Sequence, residues 1–511
     1  MKHGARLMGW VILSVGTLAG PIELLRMRES YYPELHQDSV LFVSVASNIA
    51  SGKGHTYSLF TQLYLRKHDW KYDIHGQLYP FALAMLSGEG NSEGIFHAVC
   101  MVNVFTFLAG IVWGLRLARI LNMGHVATAG GAVLGGYAVA AIAMVLQGRP
   151  EHLIPFISCC AGVVRTLSTG LRVRLITESV EVGLVAACSP VPGGILLLFR
   201  YCSAPNYTGI LDTGRYLTVL SVLSFLTWFL ITLLSSSESP FRILSNSAAL
   251  GGGVSDFAPR GYSVLHRVWL IHPNMPLVGV PLALASALLV FRTIVLRQTL
   301  SMKFISWSLL ILLAGVTFRV SIYRYVMFYN TLPLIVSLSS WIVHLLKAEH
   351  VRSQFAVRWI KGLLGVSLIA IAGGFLRQSM VHEVSRGRGV SLHESRSQAR
   401  ALTAGLTDPH GRVAILESSS PVMTALVMDQ RLFLSCANAT DSIETLEKSM
   451  GVYFTHLIVR QDVAGEPVAT RGLFTLTWHN WISEKPTFWG IPLNHVMPGY
   501  QIAVYRRSTD S

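Results

Sequence analysis

The chain has 511 residues, of which 51% are hydrophobic and only 13% are charged, and its mean hydropathy is +0.48. A soluble globular protein carries about 25% charged residues, and the apolar residues here fall into long uninterrupted runs that a water-soluble core does not need. The composition therefore excludes a soluble protein. The net charge of +14 is typical of a membrane protein with Arg and Lys at its cytoplasmic span ends. No zinc-finger spacing or RNA-binding motif indicates a nucleic-acid partner.

The N-terminal segment is predicted to be the first membrane span. Lys2 and Arg6 precede an apolar stretch at 8–25. The stretch is long for a signal peptide, and no clean small-x-small cleavage site follows it. We therefore expect an uncleaved anchor whose N-terminus lies in the cytoplasm.

Further apolar runs predict a polytopic protein, since each span needs about 20 apolar residues. Besides 8–25, the predicted spans are 95–117, 126–146, 152–168, 216–234, 275–297, 304–320, 325–346 and 359–376. The stretch 179–200 is interrupted at 189–194 by Ser-Pro-Val-Pro-Gly-Gly, and it predicts either one kinked helix or a hairpin of two short helices.

The distribution of basic residues favours the hairpin. It places Arg200 and Arg215 on the cytoplasmic side with the other span-end arginines, and it brings the total to about eleven spans. The external segments are then a long loop at 26–94, a turn near 147–151, a loop at 235–273 and everything after about 377.

The C-terminal part predicts a small soluble domain. After a linker at 377–400, short apolar runs at 413–416, 455–459 and 501–505 predict strands, with helices near 421–429 and 440–450. The predicted fold class is a mostly α-helical polytopic membrane protein with about ten or eleven transmembrane helices over 1–376. A small α/β extracytoplasmic domain follows at 401–511.

The first external loop carries the motifs that point to chemistry. Asp38 follows the first span by about a dozen residues, and partial desolvation at the membrane boundary can make such a carboxylate a usable base. An amphipathic stretch then ends at 51–55 in Ser-Gly-Lys-Gly-His, and residues 72–80 read Tyr-Asp-Ile-His-Gly-Gln-Leu-Tyr-Pro.

These motifs, in this order, resemble the GT-C superfamily of membrane glycosyltransferases. Within it they are most similar to the bacterial relatives of protein O-mannosyltransferases and lipid A aminoarabinose transferases. Residues 147–151, Gln-Gly-Arg-Pro-Glu, resemble the Arg-Pro-Glu segment that opens the family's fourth span. Residues 323–325, Tyr-Arg-Tyr, followed by Pro333, resemble its Arg-Tyr segment. The sequence departs from the family in that Asp38 stands alone where an acidic pair is common.

The resemblance implies a GT-C fold and an inverting transfer of sugar from a polyprenyl phosphate to an external lipid, glycan or protein. Asp38 would be the general base, and His75 would act beside it. Because the leaving phosphate is negative, cations are required near it, and arginine binds phosphate oxygens in a bidentate way. The implied phosphate-binding residues are Arg149, Arg319 and Arg324. The implied acceptor or sugar contacts are Glu151, Tyr79 and Tyr325.

Other interpretations of the same residues stay open at this stage. Asp38 could cap a helix that begins at Ser39, and Arg149 could pair with Glu151 at a span end. No cofactor is required, but a divalent metal is possible. The weak candidate metal ligands are His36, His68, Asp69 and Asp73.

Two other functions are compatible with a polytopic membrane protein. One is an O-antigen ligase or polymerase, which relies on Arg and His in a late loop rather than on an Asp after the first span. The other is a transporter, which would show paired halves with broken helices at the midplane. The break at 189–194 has no counterpart in the other half.

Overall fold

The structure is a computed structural model. It describes residues 2–30, 37–56, 59–61, 71–73, 76–120, 123–145, 148–167, 170–202 and 210–253. In the C-terminal part it describes 397, 400, 413–416, 434–437, 447–448, 453–461, 474–481, 487–488, 491–492 and 501–507. The four predicted spans between 275 and 376 lie outside the described residues.

The N-terminal half is helical. Its elements are α1 (Lys2–Ser30), α2 (Gln37–Ala50), α3 (Leu78–Ser87), α4 (Ser92–Ile120), α5 (His125–Val145), a 3-10 helix (Pro150–Leu153), α6 (Ile154–Leu167), α7 (Leu171–Cys188), α8 (Pro190–Cys202), α9 (Ile210–Ser235) and α10 (Pro240–Gly253). Among the described helices, three are long and apolar enough to cross a membrane, at His3–Leu25, Glu93–Arg119 and Gly214–Ser235. The first five predicted spans each fall on a helix, so the described part of the N-terminal half is confirmed as helical.

Small residues let α1, α4 and α5 pack closely. A Cβ added at Gly110 of α4 would lie 3.0 Å from the Cα of Gly136 on α5. Glycine at such positions brings two helix backbones together inside a membrane, where van der Waals packing drives association. Gly20 of α1 is covered by the ring of Phe107, and the cluster around that ring also buries Leu24 of α1. Successive residues of α1 contact successive residues of α5 in the same order, so these two helices are parallel. Residues of α4 contact α5 in the reverse order, so α4 is antiparallel to both.

The interrupted stretch folds as a helical hairpin. Helix α7 ends at Cys188, Ser189 is extended, and α8 begins at Pro190, a position where proline loses no helical hydrogen bond. A Cβ at Gly193 would meet the Cβ of Ala186, and Arg200 reaches Glu181. The pairing of residues on either side of Ser189 shows that α8 returns antiparallel along α7. The hairpin prediction is therefore confirmed, with arms that extend beyond 179–200 to 171–202.

The bundle has two chemically different ends. At one end, which we call the basic end, α4 and α6 finish together, since the Arg116 guanidinium donates to the Thr166 carbonyl at 3.4 Å. The open end of the α7–α8 hairpin, with Arg200, lies here as well. At the other end, the site end, lie α3, the 3-10 helix and the tip of the hairpin.

Among the described residues, six strands form one sheet in the order β1-β3-β2-β4-β8-β5. The strands are β1 (Leu59–Thr61), β2 (Val413–Leu416), β3 (Leu434–Ala437), β4 (His456–Gln461), β5 (Phe474–Trp481) and β8 (Gln501–Arg507), and β6 (Thr487–Phe488) pairs with β7 (Ile491–Pro492) separately. The strands predicted at 413–416, 455–459 and 501–505 are confirmed as β2, β4 and β8.

Strand β1 comes from the first external loop, not from the C-terminal part. It pairs in parallel with β3, with Leu59 opposite Leu434 and Thr61 opposite Cys436. The backbone of the first loop is therefore joined to the C-terminal sheet by main-chain hydrogen bonds.

Candidate active site

Helix α2 is the first described element of the external loop after α1, and it carries Asp38. The helix begins at Gln37, so Asp38 lies in its first turn and does not cap a helix that starts at Ser39. A carboxylate in a first turn is favoured by the helix dipole. One turn later, Phe42 is buried and its ring contacts the ring of Tyr72 edge-on at 6.2 Å between centroids. The Asp38 side chain lies outside the described residues.

The Gly-x-Gly sequence after α2 forms a tight helix end. Gly52 and Gly54 have φ of 73° and 76°, a region that glycine adopts without steric cost. The Lys53 N–H donates to the Asn48 carbonyl at 2.8 Å, and the Asn48 amide donates to the Thr56 carbonyl at 2.9 Å. This turn sends the chain back across the end of the bundle.

His55 then joins the first loop to the end of α9. Its Nε2 lies 2.6 Å from the Ser235 carbonyl oxygen. Burial lowers the pKa of His55, although the hydrogen bond to Ser235 acts in the opposite direction. The imidazole is therefore held as a neutral donor to that carbonyl.

Gly76 lies on the hairpin tip, and Tyr72 is hydrogen-bonded to it. Tyr72 is fully buried and its hydroxyl donates to the Gly76 carbonyl at 3.2 Å. Gly76 packs against the carbonyl groups of Ala187 and Cys188, so closely that no side chain would fit. Glycine is therefore required at this position of the His-Gly-x-Leu-Tyr-Pro motif, because any side chain would clash with the hairpin tip. His75, immediately before it, lies outside the described residues.

Asp73 is bound by the second external segment. Its buried carboxylate lies 3.3 Å from Nε of Arg242 and accepts a hydrogen bond of 2.8 Å from Asn246. Lys71 pairs with Glu238 at 3.0 Å, and Glu238 also pairs with Arg242 at 3.3 Å. These four charges sum to zero, so the cluster holds α10 against the first loop without attracting an anion.

This geometry gives Asp73 two partners, both on Oδ2. A carboxylate has about four acceptor sites on its two oxygens, so these contacts do not decide the metal-ligand role of Asp73, which stays a prediction. Among the described residues, no group of three or more His, Cys, Asp or Glu side chains could hold a metal ion. The other candidates, His36, His68 and Asp69, lie outside the described residues.

A neutral hydrogen-bond chain lies beneath the Arg-Pro-Glu segment. The Tyr79 hydroxyl lies 3.1 Å from Nδ1 of His152, and His152 Nε2 lies 2.8 Å from Oδ1 of Asn103. Tyr79 and His152 are completely buried and Asn103 nearly so. Burial raises the pKa of Tyr79 well above its ordinary value, and the nearby Glu151 carboxylate adds to the rise. Tyr79 is therefore a neutral donor behind the surface, which does not fit its predicted role as a sugar contact.

The Arg-Pro-Glu residues themselves form a turn. Gly148 has a φ of 80°, Arg149 is extended and Pro150 opens the 3-10 helix, where its fixed φ is favourable. Glu151 is buried, with 6% of its surface exposed, whereas Arg149 is half-buried. The donor-phosphate role of Arg149 and the contact role of Glu151 stay predictions.

Among the described residues, the structure thus brings Tyr72, Gly76 and Tyr79 together with the 149–151 turn at the site end, and the catalytic role of Asp38 stays a prediction. Arg319, Arg324 and Tyr325 lie outside the described residues, and their roles stay predictions. Sequence reasoning missed His152 and Arg242. The signal for His152 was available, because a histidine at the start of an apolar span is costly unless it has a partner.

A solved structure with the same fold is ArnT from Cupriavidus metallidurans, described as bound to undecaprenyl phosphate. It matches with a TM-score of 0.50 and 13% sequence identity, over 97% of this chain and 98% of that one. The oligosaccharyltransferase from Archaeoglobus fulgidus in its apo form matches with a TM-score of 0.47 and 11% identity, over 95% of this chain and 75% of that one. No family model matches the chain, and no curated protein matches it in sequence.

The likeness to ArnT extends along nearly the full length of both chains. This chain therefore shares the fold of ArnT, and the polytopic membrane fold predicted from the sequence is confirmed.

Proposed function

We propose that the chain is an inverting glycosyltransferase that moves a sugar from a polyprenyl-phosphate donor to an extracytoplasmic lipid, glycan or protein. The observation that carries the proposal is that the described parts of two motifs, Gly76 with Tyr79 and the 149–151 turn, lie together at one end of a bundle whose fold resembles that of ArnT. The ArnT structure of the same fold, described as bound to undecaprenyl phosphate, supports a polyprenyl-linked donor.

The orientation follows from the two ends of the bundle. The basic end carries the span-end arginines, which favour the cytoplasmic side. The N-terminus is then cytoplasmic, and the site end faces the periplasm or its equivalent across the inner (plasma) membrane. The C-terminal sheet, joined to the first loop by β1, lies on that same external side.

The transfer needs a base and a stabilised leaving group. Asp38 accepts the proton of the acceptor hydroxyl while the oxygen attacks the anomeric carbon. The bond from that carbon to the phosphate oxygen breaks, its electron pair stays on the oxygen, and polyprenyl phosphate leaves. Attack from the opposite face inverts the anomeric configuration. His75 would lie beside this reaction as a hydrogen-bonding group.

Cationic side chains lower the energy of the departing phosphate. Among the candidate phosphate-binding arginines, Arg149 lies in the part of the chain that the structure describes. Arg319 and Arg324 would complete the phosphate-binding set. Guanidinium groups fixed in place before the reaction stabilise developing charge without reorganisation. Glu151 and Tyr325 would contact the sugar or the acceptor.

The test is turnover with a panel of polyprenyl-phosphate sugars, measured as release of polyprenyl phosphate from purified protein. Asp38→Asn should lower the rate by about 100-fold or more, as expected for loss of a general base. Glu93→Gln is the matched control, since Glu93 is exposed in the first turn of α4, and it should leave the rate unchanged.

Three results would contradict the proposal in different ways. No release from any donor by folded protein would reject the polyprenyl-phosphate transferase. Turnover that survives Asp38→Asn would reject this site and favour a mechanism of the O-antigen ligase type. Retention of the anomeric configuration in the product would reject direct displacement.

A further inference from the structure

The buried chain of Tyr79, His152 and Asn103 connects three separate elements. Tyr79 lies on α3, His152 lies in the 3-10 helix that precedes α6, and Asn103 lies within α4. The distances are 3.1 Å and 2.8 Å, and the rings of Tyr79 and His152 are in edge contact at 5.7 Å between centroids. A completely buried polar chain of this kind is costly unless every member is satisfied.

The hydrogen-bond partners fix the direction of the chain. Asn103 offers its carbonyl oxygen to His152, so Nε2 of the imidazole carries the proton. Nδ1 is then an acceptor, and the Tyr79 hydroxyl donates to it. The tyrosine proton is committed to the interior of the protein and is not available to a substrate.

The buried chain also fixes the residue that holds the backbone of Arg149. The His152 imidazole lies between Tyr79 and Asn103, and the backbone N–H of the same residue donates to the Arg149 carbonyl at 2.9 Å. Arg149 itself is extended, with φ of −107° and ψ of 155°. The position of the Arg149 backbone therefore depends on a residue whose side chain is anchored by the buried chain.

We infer that Tyr79, His152 and Asn103 are positioning residues that aim Arg149 at the phosphate of the donor. The inference rests on the proposed function and adds to it a specific use of the motif tyrosine. A displacement of about 1 Å in a group that stabilises a transition state lowers the rate by large factors. Loss of the buried chain should therefore act on the reaction through Arg149.

The decisive experiment is a double-mutant cycle with Tyr79→Phe and Arg149→Gln. Tyr79→Phe alone should lower kcat about tenfold with little change in KM, because catalytic groups must be held within about 0.5 Å. In the Arg149→Gln background the same change should cost less than about twofold, since residues that act through one group are not additive.

A merely structural role predicts a different result, namely the same tenfold loss in both backgrounds, and that result would overturn the inference. Tyr137→Phe is the matched control, because Tyr137 is a partly buried tyrosine on α5 whose ring contacts Phe107. His152→Gln keeps a donor towards Asn103 but has no acceptor at the position of the imidazole Nδ1, to which Tyr79 donates. It should lower kcat as Tyr79→Phe does, and the Tyr79→Phe/His152→Gln double variant should be no slower.

A binding measurement separates failure of this inference from failure of the proposed function. Undecaprenyl phosphate should raise the Tm of the wild-type protein, and Arg149→Gln and Tyr79→Phe should reduce that rise by similar amounts. If Asp38-dependent turnover persists while Arg149→Gln leaves the rise in Tm unchanged, the inference is wrong and the transferase stands. If no donor is turned over, an equal loss of binding in both variants still supports the positioning role.

Discussion

Two buried hydrogen-bond networks, one at each end of the bundle, differ in charge. At the basic end, Glu181 accepts from Arg165 and Arg200, each at 2.5 Å. Glu178 accepts from Arg174 at 2.9 Å and from the Tyr216 hydroxyl at 2.8 Å. At the site end, the chain through His152 is buried but carries no charge.

The difference in charge suits the two networks to different tasks. Buried charges are strongly destabilising once a partner is lost, so the cluster at the basic end allows only one arrangement of the α7–α8 hairpin. At the site end, the proposed reaction would bring in and release a charged phosphate. A neutral network there keeps the backbone in place without competing electrostatically for the phosphate.

The largest effect is expected at the basic end, from Glu181→Gln. The change removes the carboxylate between two guanidinium groups whose side chains are 6% and 2% exposed. Removing one partner of a buried ion pair costs about 3 kcal/mol or more. The free energy of unfolding in detergent measures this. Glu93→Gln serves as the exposed control, and equal stability of the two variants would show that the buried cluster contributes nothing.

A smaller effect is expected from Asp73→Asn at the site end. Its partner Arg242 is 46% exposed, and solvent screening limits the contribution of a partly exposed pair to about 1 kcal/mol or less. The readout is hydrogen exchange over residues 236–253, which should become faster while α4 and α5 stay unchanged. Glu238→Gln, which removes the pair with the exposed Lys71, should have the weaker effect. The reverse order would contradict the role assigned to Asp73.

The smallest effect is a pH dependence at His55. Because burial lowers its pKa in the folded protein, the unfolded chain binds more protons below about pH 6.5. The contribution of His55 is therefore complete above that pH and is lost as the pH falls below it. The Tm difference between wild type and His55→Gln, measured from pH 8 to pH 5, should shrink on acidification. A difference that grew would show that the imidazolium is the stabilising form.

Much of the fold followed from the sequence, because span length and proline placement act locally. The break at Ser189 was visible from Pro190 and Pro192, and the charge pattern favoured the hairpin that the structure shows. The strands at Val413–Leu416 and Gln501–Arg507 were predicted from short apolar runs. The pairing of β1 with β3 could not be predicted, because a three-residue strand has no periodicity to detect.

The candidate site was less predictable, because its contacts join distant segments. The sequence indicated Tyr79, but only the fold shows that its hydroxyl faces His152 and is absent from the surface. The contacts of Asp73 with Arg242 and Asn246 likewise could not be predicted from the sequence. Pairings of this kind depend on tertiary geometry and leave no spacing in the sequence.

The parallel ladder between β1 and β3 has a consequence for biosynthesis. Leu59 is made early and Leu434 late, so the first loop must wait for most of the chain to leave the ribosome before this edge can pair. Contacts between such distant residues form slowly. Until then, the edge that β1 presents is open to other strands. The edge of the sheet is therefore completed only after Leu434 has been made.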